Sequence, residues 1–442
     1  MTNGFTRSKA EGQPSILPIL SVNFVGTLGF SIVVPFMVFL VADWGGNAIV
    51  YGAVASTYSV FQLIGAPILG RWSDRIGRRK VLLLSQFGTM VSWIIFLIAF
   101  TLPADALFTI DSALLGQFSL TLPLVVLFIA RATDGLTGGN VSVANAYLAD
   151  ITDDAHRTEH FGRMAMSTNV GFILGPALAG LLGATVLGEI LPVAAALGIS
   201  VVATLLILLG LKESGHHVLS KKPGLNNACK VFGQETKECY KLEGCDETKN
   251  TQIMRLPQMP ALLTVNFLVM LGFSFFYVSF PIHAALRLEW TVTDTGIYFA
   301  VLSLWMVVVQ GPLLAWLSKT VPERALVGGG GLVLAAGFAL LLSGWLPVIY
   351  LGAVLIALGN GLMWPTFTAL LSKQAGDRFQ GAVQGFASSL GAAASIVGLI
   401  GGGLLYTWFG PWVFVLSACV IALAALMAAG IGRSDQPAVA TV

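Results

Sequence analysis

The chain alternates between long, unbroken apolar runs and short polar turns. Twelve runs recur, at residues 16–41, 50–71, 80–102, 122–148, 160–184, 189–211, 260–285, 296–318, 326–344, 348–372, 379–404 and 411–431. A helix needs about 20 apolar residues to cross roughly 30 Å of hydrocarbon. Strands of a membrane barrel are about 10 residues long and alternate in polarity. These runs are twice that length and apolar on all sides, so the pattern predicts helices. The expected fold is an all-α membrane protein with twelve transmembrane helices in two six-helix, pseudo-symmetric bundles. Residues 1–15 are polar and lack the charged and short apolar regions of a signal peptide. The first run is therefore expected to remain as a span.

Composition agrees with that reading. Of the 442 residues 56% are hydrophobic and only 10% charged, against about 25% charged in a soluble domain. A water-soluble globule, a disordered chain, a coiled coil and a disulfide-rich secreted domain are all excluded. The net charge of +2 gives no reason to expect nucleic acid as a partner.

The placement of Lys and Arg carries more than their sum. Arg7 and Lys9 precede the first run. Arg71, Arg75, Arg78, Arg79 and Lys80 follow the second, and Arg157 and Arg163 follow the fourth. Eight more lie between Lys212 and Arg255, and Lys319, Arg324, Lys373, Arg378 and Arg433 complete the set. That puts 22 of the 24 basic residues on one side of the membrane, which the positive-inside rule makes cytoplasmic. The expected organisation is a cytoplasmic tail (1–15), a six-helix bundle (16–211), a cytoplasmic linker (212–258), a second six-helix bundle (259–431) and a cytoplasmic tail (432–442). Six plus six helices around such a linker is the parallel-repeat plan of many secondary transporters.

Cys229, Cys239 and Cys245 sit in the linker and Cys419 in the last run. Their spacing matches no standard zinc pattern, so reduced thiols are expected, with no metal site and no cofactor. His156 and His160 stand at i,i+4 in a charged loop without a His-Glu motif. No histidine spacing suggests an enzyme.

Residues 70–80 read GRWSDRIGRRK. They resemble the signature of the major facilitator superfamily between helices 2 and 3, Gly-x-Leu-(Gly/Ala/Ser)-Asp-(Arg/Lys)-x-Gly-(Arg/Lys)-(Arg/Lys). Gly70, Ser73, Asp74, Arg75, Gly77, Arg78 and Arg79 match, with Trp72 where Leu is usual. The resemblance implies that Asp74 faces the start of helix 11 near Gly381 and that Arg78 lies near Asp150. Together they would form a conformational latch favouring the outward-open state. Helix 4, RATDGLTGGNVSVANAYLADIT, is similar to the Arg-x-x-x-Gly-x-x-x-Gly motif of twelve-span drug:proton antiporters, including tetracycline exporters, through Arg131, Gly135 and Gly139. Helix 5, GFILGPALAGLLG, resembles the antiporter motif through Gly171, Gly175, Pro176 and Gly180. Small residues let helices approach closely, and proline loosens the backbone. LGFSIVVPF in helix 1 and the stretch from Gly359 to Gly385 in helix 10 look like the same group. Only the 212–258 linker finds no match.

A charge within hydrocarbon costs at least about 2.5–3.5 kcal/mol. Arg131 and Asp134 are the pair expected deep in a span, and their i,i+3 spacing puts them on one face. Burial and a neighbouring cation pull the protonation of Asp134 in opposite directions, which suits a proton-coupling carboxylate. The competing reading is a permanent ion pair that only lets helix 4 insert. No acid lies within helix 1, where some drug antiporters carry one. His283 and Arg287 near the outer end of helix 7 suit either an outer gate or interfacial anchoring.

In the superfamily, helices 1, 4, 7 and 10 line the central cavity. The resemblance implies a substrate cavity among Asn23, Thr27, Phe30, Ser31, Asn140, Asn145, Asn266, Phe273, Phe276, Tyr277, Asn360 and Trp364. Aromatics with a few amides suit a lipophilic or zwitterionic solute; some of these rings would serve helix packing instead. The leading expectation is proton-coupled efflux of amphipathic organic molecules by alternating access, with protons, a small-molecule substrate and the bilayer as partners. A bacterial inner membrane is expected, since no outer loop carries a glycosylation sequon, and the protein is expected to be a monomer. The alternative is a transporter of one defined metabolite or chelate, such as a siderophore, by uptake or uniport; a non-transporting sensor is a further reading.

The topology has a direct check. In intact cells an impermeant thiol reagent should leave Cys229, Cys239 and Cys245 unmodified, and it should label them once the membrane is permeabilised. Rapid labelling from outside overturns the assignment.

Overall fold

The computed structural model describes residues 16–33, 36–112, 114–138, 140–152, 157–213 and 253–431. The helices run in chain order as α1 (Leu17–Ser31), α2 (Met37–Asp43), α3 (Ala48–Ile76), α4 (Arg78–Ala99), α5 (Leu122–Thr137), α6 (Asn140–Ile151), α7 (Arg157–Gly183), α8 (Ile190–Gly210), α9 (Met259–Leu286), α10 (Val292–Val308), α11 (Glu323–Leu340), α12 (Leu346–Phe409) and α13 (Val413–Gly430). A π turn over Val309–Leu313, at Gly311 and Pro312, extends α10 to Leu317. Among the described residues, nine helical stretches are long and apolar enough to cross a membrane.

Four expected runs do not appear as single separate helices. The run 16–41 is divided into α1, which ends at Ser31, and α2, which begins at Met37. The run 122–148 is divided into α5 and α6 after Thr137, with Gly138, a weak helix former, as the cap. The last carbonyls of α5 find partners on neighbouring helices: Ser85 of α4 donates to Thr137, and Gln62 of α3 donates to Gly138 at 3.1 Å. Freed backbone groups inside a bundle need such partners, because lipid supplies none. Runs ten and eleven form one 64-residue helical stretch, α12. The expected facing of Asp74 on residues near Gly381 involves side chains outside the described set, as does most of the linker with Cys229, Cys239 and Cys245.

The segment between α4 and α5 differs from the all-helical expectation. Ala106–Ser112 (β1) and Gly116–Thr121 (β2) form an antiparallel hairpin. Its sequence, ALFTIDS and GQFSLT, is rich in Phe, Thr and Ile, which favour strands. Gly116 takes φ +67° at the turn. This hairpin marks one end of the bundle; the segments that lead to the two chain termini and to the linker lie at the other.

Within the first half, α1 packs on α7 and α8, while α4 packs on α5 and α8 and α3 packs on α5. In the second half, α9 and α11 each pack on α12 and α13. The two halves meet through α3 against α12 and α7 against α10. Large apolar side chains such as Ile94, Ile98, Leu205, Leu423 and Leu426 point outward and are exposed. That surface suits lipid and would be unfavourable in water.

Backbone contact closes the hairpin end. A Cβ on Gly180 of α7 would lie 2.6 Å from the Cα of Gly296 on α10, and one on Gly52 of α3 would lie 2.6 Å from the Leu399 carbonyl of α12. Only hydrogen side chains allow these approaches. The hairpin adds a bridge between the halves: the Trp408 indole donates to the Leu115 neighbour Leu114 at its carbonyl (3.1 Å), and Asn47 donates to Leu115 at 2.8 Å. Asp43 lies at this end. Burial, then the charge of Glu189, push its carboxyl above the ordinary range.

At the other end the signature loop is a compact turn. Gly77 takes φ +107°, a conformation unfavourable for other residues, and ends α3 while starting α4. Arg78 is 1% exposed; its Nε donates to Asp150 at 3.1 Å, and its guanidinium also reaches Ser73. Glu213, just past α8, accepts from the Arg79 N–H at 3.1 Å, and Arg79 donates to the Leu208 carbonyl at 2.8 Å. A carboxylate at the start of α4 satisfies a free N–H and complements the helix dipole.

Two outcomes follow from these contacts. Gly180→Val should oppose closure of the hairpin end by the cost of overpacking, about 1–3 kcal/mol. Spin-label distances across that end should show a longer population than in the parent. Arg78→Ala removes the guanidinium that donates to the partly buried Asp150. Removing one partner of a buried pair costs about 3–5 kcal/mol, and thermal unfolding in detergent should show a loss near the low end of that range.

Candidate functional site

Helix α5 carries the charges. Arg131 and Asp134 are each 4% exposed and lie on one face, with Arg131 Nη1 3.2 Å from Asp134 Oδ2. The Arg131 guanidinium also sits 4.8 Å above the centre of the Tyr58 ring on α3. Cation–π attraction strengthens when the cation is removed from water. Gly135 makes this stacking sterically accessible: a Cβ there would meet the Phe61 side chain at 2.9 Å and the backbone of Tyr58. Tyr58 is tied in turn to Gln62, whose Nε2 donates to the phenol at 3.0 Å. Tyr51 of α3 and Tyr277 of α9 are close enough to interact electrostatically with Arg131. The charged pair therefore faces the junction with the second half.

A cavity of about 260 Å³ opens on Asp134 within the first half. Asn23 and Thr27 of α1 line it, with Tyr58, Gln62, Gln86 and Trp93 among the others. Asn23 donates to Thr168 Oγ1 at 2.6 Å and to the Met164 carbonyl at 3.3 Å, fixing α1 to α7. A second cavity, about 290 Å³, lies in the other half and is lined by Asn266, Trp364, Phe367 and Ser395 among others. Asn266 is held by donation to the Ala387 carbonyl at 2.9 Å. Each of these two cavities is lined from one half of the chain.

The remaining sequence candidates fall elsewhere. Ser31 donates to the Gly171 carbonyl at 3.0 Å and joins α1 to α7. Phe276 is 1% exposed, stacked on Phe338 with centroids 4.8 Å apart. Phe273 packs edge-on against Phe276 and stacks on Tyr277. Asn360 and Asn145 are half-buried, with Asn360 Nδ2 3.9 Å from Met306 Sδ. The side chains of Phe30 and Asn140 lie outside the described set. In α7, Gly171 and Gly175 face α1, where a Cβ would collide with Thr27 or Ser31, whereas Gly180 faces α10. Pro176 is buried between these two contacts. His283 is 4% exposed, with Nδ1 3.0 Å from the Tyr406 hydroxyl.

Tyr58, Gln62, Gln86, Thr89 and Trp93 also line the cavity, and no motif in the sequence marks them. Gln62 and Gln86 carried the available signal, since an uncharged amide inside an apolar run also needs a partner or a use.

The chain is 29% identical over 439 residues to a tetracycline resistance protein of class E from Escherichia coli, covering 96% of this chain and 97% of that protein. It is 25% identical over 410 residues to multidrug resistance protein 2 of Bacillus subtilis (strain 168), covering 90% of each. Its fold matches the crystal structure of the human organic anion transporter MFSD10 (TETRAN) with a TM-score of 0.64, at 21% identity, over 93% of this chain and 98% of that one. The family model of the Major Facilitator Superfamily matches residues 19–399 and 262–441. With its two packed helical halves, its signature turn at Gly77 and this match along nearly its whole length, the chain belongs to the Major Facilitator Superfamily and is a membrane transporter.

Proposed function

We propose that the chain is a proton-coupled exporter of amphipathic organic molecules, working by alternating access as a monomer in a bacterial inner membrane with both termini cytoplasmic. It needs no cofactor, because the proton gradient supplies the energy. The observation that carries this reading is the buried Arg131–Asp134 pair opening on a cavity. Similarity to proteins named for tetracycline and multidrug resistance supports the substrate class.

The pair gives a simple cycle. Asp134 ionised holds Arg131 by charge and hydrogen bond. A proton on Asp134 removes the charge attraction, and the guanidinium, still over Tyr58, is then drawn toward the junction where Tyr277 stands. Loss of the proton restores the pair. A solute between the halves would meet Tyr277 and Phe273 from α9, with Asn266 and Trp364 deeper in the second half. Rings with few amides and no fixed charge suit a lipophilic or zwitterionic molecule. The hairpin-end closure and the Arg78–Asp150 latch at the opposite end are the contacts that would break and remake as access alternates. Asp74 belongs to the same latch in this reading.

Reconstituted vesicles test the coupling. One pH unit stores about 1.4 kcal/mol per proton, enough for about a tenfold substrate gradient. Asp134→Asn should reduce pH-driven accumulation to background while downhill exchange of the same substrate continues. Arg131→Ala should impair both modes. If Asp134→Asn still concentrates substrate on a pH gradient, Asp134 is a structural partner and the coupling group lies elsewhere. The substrate panel should contain lipophilic cations, zwitterions and chelates, the last to test the single-metabolite alternative.

A further inference from the structure

The cavity beside Asp134 is walled by polar groups that packing alone does not explain. Gln86, Thr89 and Trp93 occur at i, i+3 and i+7 on α4, so they form one stripe facing the cavity. Gln86 and Trp93 are each 1% exposed. Gln86 Nε2 donates to the Ser200 carbonyl at 3.4 Å, but its Oε1 has no partner among the described residues. The Trp93 indole N–H likewise has none among them. Thr89 sits within hydrogen-bonding reach of the Asp134 carboxylate. Seven residues of helix rise span about 10 Å, so the stripe runs from Trp93 to Gln86 along the axis of the first half.

An unmet donor and an unmet acceptor in a roomy cavity have one inexpensive remedy. Polar cavities that offer a water two to four partners are filled, whereas apolar cavities of similar size stay dry. Here the partners are Gln86 Oε1, the Trp93 N–H, Thr89, Ser200 and Asp134. A volume of about 260 Å³ holds several waters. The titratable and charged groups at this place are Asp134, Tyr58 and Arg131; none adds a second carboxylate.

We propose that this cavity holds a hydrogen-bonded file of water and that a proton reaches and leaves Asp134 along it, within the first half, separately from the passage between the halves where substrate moves. The proton passes from the Asp134 carboxylic acid to the adjacent water as hydronium, then from water to water by exchange of O–H bonds. The carboxylate left behind is held by Arg131, and nothing is oxidised or reduced. The route rests on the reading of Asp134 as the coupling carboxylate; the water does not.

Radiolytic hydroxyl-radical labelling of the purified full chain in H2(18)O reads the water directly, because a buried side chain is oxidised only where bound water lies against it. Trp93 should be oxidised, although it is 1% exposed, whereas Phe96, fully buried against it, should not. Filling the cavity with Ser200→Leu, or removing the acceptor with Gln86→Leu, should lower Trp93 oxidation severalfold. Two substitutions at separate positions keep the test valid if one fails to fold. Trp93 oxidation at the level of Phe96 overturns the water file, and it does so whatever Asp134→Asn shows in transport. For the route, substrate-coupled proton uptake followed with a trapped pH dye should slow severalfold in both variants. Unchanged proton uptake in a folded variant that has lost Trp93 labelling overturns the route.

Discussion

A guanidinium and a carboxylate buried together inside the helical bundle set the terms for the first half of this transporter. Either charge alone would cost at least about 2.5–3.5 kcal/mol at the centre of a span. Breaking a buried pair costs more than the pair is worth, because it leaves one charge uncompensated. Around Arg131 and Asp134 the chain therefore supplies further partners: the Tyr58 ring below the guanidinium and Thr89 beside the carboxylate. Gly135 brings α3 near enough for that ring, and Gln62 fixes the Tyr58 hydroxyl. The same Gln62 takes the Gly138 carbonyl where the helix breaks. The break lies within one turn of Asp134, so the charge and the irregular backbone share one set of polar neighbours.

Glycine does the opposite work between helices. In lipid no hydrophobic force drives helices together, so close backbone packing must hold them. Helix α7 shows how one motif serves two partners. Gly171 and Gly175 admit α1, and Gly180 admits Gly296 of α10 in the other half. The first contact is internal to a bundle and the second lies between bundles. Movement of one half against the other must open the second and can spare the first. Pro176 lies between them and removes one helical hydrogen bond at that place.

The end of the bundle near the linker is held by charge rather than by backbone contact. Arg78 joins α4 to Asp150 at the end of α6, and Glu213 covers the start of α4 from the far side of α8. Three separated segments of the first half thereby meet at a turn that Gly77 alone can make without strain. Such contacts are directional and depend on each partner keeping its place.

The sequence by itself determined the class of structure. Runs of about 20 apolar residues have few stable arrangements in a bilayer, and a string such as GRWSDRIGRRK specifies a sharp, basic turn wherever it falls. Arg131 and Asp134 were legible for the same reason: three residues apart on a helix, they share a face, and charges are scarce enough in these runs to stand out. Arg78 and Asp150 were legible only through resemblance, since 72 residues separate them. The tertiary structure decided the rest. Tyr58, Gln86 and Trp93 look like ordinary residues of apolar helices until α3 and α4 are laid beside α5. Phe276 and Ser31 have partners, Phe338 and the Gly171 carbonyl, that only the packed bundle reveals. Periodicity tells which residues share a face on one helix. Which helix that face meets is a property of the packed bundle, and the cavity exists only between helices.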